Sequence, residues 1–287
     1  MKHTENKKPK AKPKAAFNAD ITKLTSLMAR LRSADGCPWD KEQTLENLVP
    51  FIIEEAYEVI SAIDAKDDAE IREELGDLLF QIIFASRIKE EEGSFALKDV
   101  IDVTVEKMVR RHPHVFGDKT IETAKTPKEV LERWAEIKRE EKKNKPYEGY
   151  LAGVPSALPA LLRAHKISKK AAKTGFDWKD IAHVLDKVRE ELKEFEDAVK
   201  TKNAANMEEE IGDMLFTIVN VARFIEVNPE NALRKTIGKF ITRFHYIEKA
   251  LAKKNKDLSV ASMVEMEALW QEAKRNRNTV KKVRQNR

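Results

Sequence analysis

Apolar residues recur along most of this chain at intervals of three and four. Leu48, Ile52, Ala56, Val59 and Ile63 keep that spacing, and so do Ile71, Leu75, Leu78/Leu79 and Ile82. The pattern predicts amphipathic helices. No segment sustains the period-two alternation of a half-buried strand, and the Val and Ile residues fall inside helical periods. Two such helices cannot bury their stripes alone, so each group is expected to form a small antiparallel bundle in an all-α protein.

The pattern occurs twice. Glu54-Glu55-x-x-Glu58 returns as Glu190-Glu191-x-x-Glu194, and Glu73 to Phe80 returns as Glu209 to Phe216, both displaced by 136 positions. Arg87 pairs in this way with Arg223, Lys107 with Arg243, Trp134 with Trp270 and Lys138 with Lys274. A register held this long identifies an internal duplication. Between the copies, Asn144 to Pro159 carries three Pro and two Gly and reads as a linker. The expected organisation is a tail at 1–20, a first domain at 21–142, a linker at 143–160, a second domain at 161–275 and a tail at 276–287.

Charge sharpens the boundaries. The chain of 287 residues has a net charge of +5, but residues 1–16 hold six Lys against one Glu and residues 274–287 hold seven bases and no acid. The body between them carries 41 basic and 48 acidic residues, so the basic character lives in the ends. Lys-rich ends containing Pro are expected to be solvated and disordered. Contact with nucleic-acid phosphates is the weaker reading, because neither interleaved aromatics nor a helix-turn-helix pattern accompanies the lysines. A single cysteine, Cys37, excludes an intrachain disulfide or a Cys-based zinc site. No apolar run approaches the roughly 18 residues of a membrane helix, and the first residues lack the apolar core of a secretory signal. A cytoplasmic protein without membrane contact is expected.

The candidate chemistry is acidic. Glu55 and Glu58 are three apart, as are Glu74 and Asp77, and the second copy repeats the set as Glu191, Glu194, Glu210 and Asp213. Residues three apart share a helix face, and Glu55 lies at the margin of the apolar stripe. Antiparallel packing brings four carboxylates together at the edge of the core, where their repulsion calls for a divalent cation. All-oxygen ligation suits Mg²⁺, with Mn²⁺ as a substitute. A merely solvated acidic face is the alternative for a single copy; identical spacing in two copies argues against it. Gly76 and Gly212, poor helix formers inside these helices, suggest close approach by a helix, a ligand or a partner.

Glu-Glu-x-x-Glu followed by Glu-x-x-Asp, with 15 residues between Glu58 and Glu74, resembles the MazG family of all-α nucleoside triphosphate pyrophosphohydrolases. Cys37 to Thr44 and Arg110 to Phe116 resemble stretches of that family's N-terminal domain. Lys166 to Trp178 and Glu267 to Lys274 resemble its C-terminal domain. The resemblance covers about residues 21 to 275. It implies hydrolysis of NTPs or dNTPs to a nucleoside monophosphate and pyrophosphate, by water attack at the α-phosphorus with Mg²⁺ on the acidic quartet. Nucleotide-pool house-cleaning is the implied role, and a homodimer is the implied assembly. It also implies a triphosphate and base site made by Lys239, Arg243, Trp270, Lys274, Trp178 and Lys166, and the first copy offers Lys107 and Arg111, likewise four apart, for the same role. Lys239 and Arg243 join the second quartet as the catalytic set, and the C-terminal copy is expected to carry most of the turnover.

Three other readings compete. A helical scaffold would show no metal dependence, a nucleic-acid factor would depend on its tails, and a relative selective for one nucleotide would differ only in base preference. His112 and His114 read as a turn after a helix, because no third ligand is spaced for zinc.

Overall fold

The structure, a computed structural model, describes residues 21–117, 126–141 and 149–285. The 1–20 tail, positions 143–148 of the linker and the last two residues lie outside the described residues. Every regular element among the described residues is helical, so the protein is all-α, as its periodicity predicts. The chain divides into two compact units, Met1–Lys145 and Pro146–Arg287. Among the described residues no helix is long and apolar enough to cross a membrane.

The first unit contains α1 (Ile21–Leu31), α2 (Pro38–Glu42), α3 (Leu45–Ala65), α4 (Asp68–Glu91), α5 (Leu97–Arg111), α6 (Pro113–Phe116) and α7 (Pro127–Glu140). Its centre is the α3–α4 hairpin, with α1 and α5 laid against α4. Met28, Leu48, Ile83, Phe84 and Ile88 form the buried core. The second unit contains α8 (Ala160–Ala172), α9 (Ile181–Thr201), α10 (Ala204–Phe224), α11 (Pro229–Ala252) and α12 (Met263–Gln285). It repeats the hairpin as α9–α10, sets α8 against α10 and pairs α11 with α12 around Ile247, Leu251 and Leu269.

The duplication extends to the ends of the helices. Thr44 caps α3 and Asp180 caps α9; Asp67 caps α4 and Asn203 caps α10. Each side-chain oxygen accepts from backbone N–H groups that the helix itself cannot satisfy. Between each helix pair, one non-glycine residue turns left-handed, Lys66 at φ 60° and Lys202 at φ 54°. All three pairs are 136 residues apart, so the turn geometry was copied together with the helices.

Two expectations change. Only part of the predicted stripe is buried: Leu48 and Val59 are, whereas Ile63, Leu75 and Ile82 are exposed. A 3.6-residue repeat wraps apolar residues over a wide arc, and among the described residues α1 and α5 cover part of it through α4. Nor do Gly76 and Gly212 make room for a neighbour within the chain, since an added Cβ would meet nothing within 4 Å at either.

Candidate metal and nucleotide site

The two-residue turn sets the register of the acidic residues. Glu58 lies eight residues before Lys66 and Glu74 eight after it; Glu55 and Asp77 are each eleven away. At about 1.5 Å rise per residue, symmetric spacing brings each pair level across an antiparallel hairpin. The same counts hold about Lys202 for Glu194 with Glu210 and for Glu191 with Asp213. Carboxylate oxygens of Glu55, Glu58 and Glu74 lie within 4.8 Å of one another, and so do those of Glu191, Glu194 and Glu210. Asp77 and Asp213 stand outside these tight groups but close enough to act on their charge.

Repulsion and burial are visible in the acidities. The Glu55 carboxyl is pushed up by burial and then by Asp77, against a hydrogen bond from Gln81 that favours the anion. Glu74 is pushed up by burial, Glu58, Asp77 and Glu55. Glu210 is pushed up by burial, Glu194, Glu191 and Asp213. Ligand oxygens around Mg²⁺ at about 2.1 Å lie at most about 4.2 Å apart, so each trio needs little movement to enclose an ion. The donor set is entirely oxygen, which fits a hard cation.

Two side chains beside the carboxylates escaped the sequence reading. Lys187 stands one turn before Glu191, and its Nζ is 2.8 Å from Glu190 and 2.9 Å from Glu191, which is only 4% exposed. Its i, i+4 spacing was the available signal. Gln81, on α4, carries a buried Oε1 without a donor, and no local spacing announces its contact with Glu55.

The basic and aromatic residues assemble separately. On α11, Lys239 and Arg243 are one turn apart; on α12, Trp270 and Lys274 are likewise. The Arg243 guanidinium lies 5.1 Å from the centre of the Trp270 ring, and Phe240 packs on the same ring at 5.2 Å. Arg243 Nε is buried with no hydrogen-bond acceptor. Trp178 is half-buried beside Asp177, which accepts its backbone N–H at 2.9 Å and pairs with Arg223 of α10. Lys166 is exposed on α8. Among the described residues no hydrogen bond or ion pair joins the basic group to the second carboxylate trio; the two halves of the expected site stand on different helix pairs.

The first copy differs. Position 103, the counterpart of Lys239, is Val103, and Lys107 alone matches the second-copy pair. Arg111 is committed elsewhere: it and Arg110 clamp Glu141 at 2.6 and 2.8 Å, holding that carboxyl down to about 2. Trp134 is covered by His112 at 4.8 Å and Lys138 at 5.9 Å.

Comparison with known proteins returns one family domain, the MazG nucleotide pyrophosphohydrolase domain, matched at residues 43–116 and again at 179–247. The nucleoside triphosphate pyrophosphohydrolase/pyrophosphatase MazG of Thermotoga maritima is 43% identical over 251 residues, 88% of this chain and 94% of that protein. The nucleoside triphosphate pyrophosphohydrolase of Escherichia coli K12 is 43% identical over 258 residues, 89% and 97% of the two chains. Among solved structures, a mazG-related protein from Thermotoga maritima aligns with a TM-score of 0.36 and 28% identity, over 42% of this chain and 99% of that one.

Proposed function

This chain belongs to the MazG family, and from that premise we propose that it hydrolyses nucleoside triphosphates to a nucleoside monophosphate and pyrophosphate. The observation that carries the reading is the pair of carboxylate trios, each within 4.8 Å and each set by a two-residue turn. Glu191, Glu194, Glu210 and Asp213 hold Mg²⁺ or Mn²⁺ in the second copy, and Glu55, Glu58, Glu74 and Asp77 in the first. The bound ion supplies neutralisation of phosphate charge and acidifies water.

The chain's own side chains do the rest. Arg243 and Lys239, one turn apart on α11, bind the distal phosphates, with Lys274 following Trp270 on the next helix. Trp270 offers its ring to the base, with Trp178 and Lys166 at the rim. A glutamate of the Glu191/Glu194 pair accepts the proton of the water that attacks the α-phosphorus. Such transfers need positioning and charge stabilisation more than covalent help. The C-terminal copy carries the turnover, because the first has Val103 in place of Lys239 and its Arg111 is held by Glu141. House-cleaning of NTP and dNTP pools in the cytoplasm is the physiological role that fits this activity.

The protein works as a homodimer. The uncovered apolar side chains of the hairpins, Ile63, Leu75 and Ile82 in one and Leu192, Leu215 and Ile218 in the other, support that assembly. Light scattering yields twice the monomer mass; a monomer at micromolar concentration refutes it.

A panel of NTPs and dNTPs with Mg²⁺, assayed separately for pyrophosphate and orthophosphate, tests the reaction. Pyrophosphate is the expected first product. Orthophosphate as the first product overturns the cleavage position.

A further inference from the structure

The two carboxylate trios have the same geometry but opposite compensation. In the second copy, Glu191 is buried, and the Lys187 ammonium closes on it at 2.9 Å. The counterpart of Lys187, 136 positions earlier, is Phe51, an uncharged ring that packs against the first core and meets Trp39 edge-on at 5.8 Å. What touches Glu55 instead is the neutral Gln81 amide. Among the described residues no cation pairs with Glu55, Glu58 or Glu74.

An ammonium and a divalent ion compete for the same carboxylate oxygens. A lysine one helical turn away competes at the high effective concentration of a tethered group. The ion must displace that ammonium from Glu191, at 2.9 Å, before it gains the carboxylate. We propose that the first trio is the tighter site for a bare divalent cation, and that Lys187 acts in the second copy as a resident counter-charge that weakens metal binding until it leaves Glu191. The inference rests on reading both trios as metal sites, and it divides their labour. The first copy holds its ion in the resting protein, while the second takes one only with the displacement of its own lysine.

The test uses the full-length protein stripped with EDTA and titrated with Mn²⁺, free ion being followed by electron paramagnetic resonance. Two classes of site are expected, with Glu58→Gln removing the tight class and Glu194→Gln the weak one. Lys187→Met, which keeps a long side chain without charge, should tighten the weak class by about tenfold, the water-screened effect of one charge a few ångströms from a divalent ion. Lys187→Arg should leave it as in the wild type. Two equal sites in the wild type, or loss of the tight class by Glu194→Gln, overturn the proposal without any use of the lysine variants. A Lys187→Met protein with native helicity and unchanged Mn²⁺ binding overturns it too. Each of these results leaves the metal sites themselves standing. No Mn²⁺ binding beyond that of a Glu58→Gln/Glu194→Gln double variant overturns both the proposal and the metal-site reading beneath it.

Discussion

Glu55→Gln should stabilise the metal-free protein while removing its response to metal. The substitution keeps shape and deletes one charge from a trio whose oxygens lie within 4.8 Å of one another. Two unit charges at that distance repel by about 0.9 kcal/mol even with the dielectric of water, the appropriate limit because Glu58 is exposed. Glu55 takes part in two such pairs, so deletion relieves about 1.7 kcal/mol, somewhat less in salt. A glutamine also gives Gln81 Oε1, buried without a donor, an N–H to accept, a gain of about 0.5–1.5 kcal/mol. In thermal unfolding with EDTA above neutral pH, the variant should therefore melt several degrees higher, at roughly 2–8 °C per kcal/mol for a unit of this size. The sign follows from the acidity. Because the folded protein pushes the Glu55 carboxyl up, ionisation costs stability above the folded pKa, and that cost is absent once the group is protonated in both states. The advantage of the variant is thus full at alkaline pH and closes as pH falls through the raised pKa toward the ordinary carboxylate range. Mg²⁺ or Mn²⁺ should reverse the order, since an ion at a hundred times its Kd adds about 2.7 kcal/mol per intact site. A variant less stable than wild type in EDTA, or one that gains the same increment from metal, refutes the reasoning.

Three further outcomes follow from other parts of the molecule. Glu191→Gln should lower pyrophosphate release by orders of magnitude while Glu55→Gln retains most of it, because charge stabilisation is usually the largest catalytic contribution; the reverse pattern makes the first copy the engine. Asp177→Asn should cost about 1–3 kcal/mol in urea unfolding, as it breaks a charge-assisted pair with Arg223, whose side chain is 12% exposed. The hydrogen bond to Arg223 holds Asp177 low, so this stabilisation is present at neutral pH and lost as pH falls through the depressed pKa; curves that fail to converge in acid contradict it. Phe84→Ala empties the centre of the first core and should cost about 3–5 kcal/mol; a urea midpoint near wild type means that Phe84, 1% exposed, is not the keystone its burial indicates.

The sequence by itself determined everything that depends on local repetition. Helical periodicity marks α3 and α4, and the offset of 136 positions carries them over to α9 and α10. These features are legible because a helix repeats every 3.6 residues. The equal spacing of Glu58 and Glu74 about the hairpin shows only once the structure places the turn at Lys66. Tertiary structure alone decided the pairings between residues far apart in the chain. Glu141 captures Arg111 from 30 positions away, and Asp177 finds Arg223 across 46. Gln81 meets Glu55 from the opposite helix, and the predicted stripe divides between a buried Leu48 and an exposed Leu75. Each of those outcomes depends on which helix packs against which face, at what register and with which rotamer. No local spacing encodes that choice, because it is made by the summed burial of side chains that lie far apart in the chain.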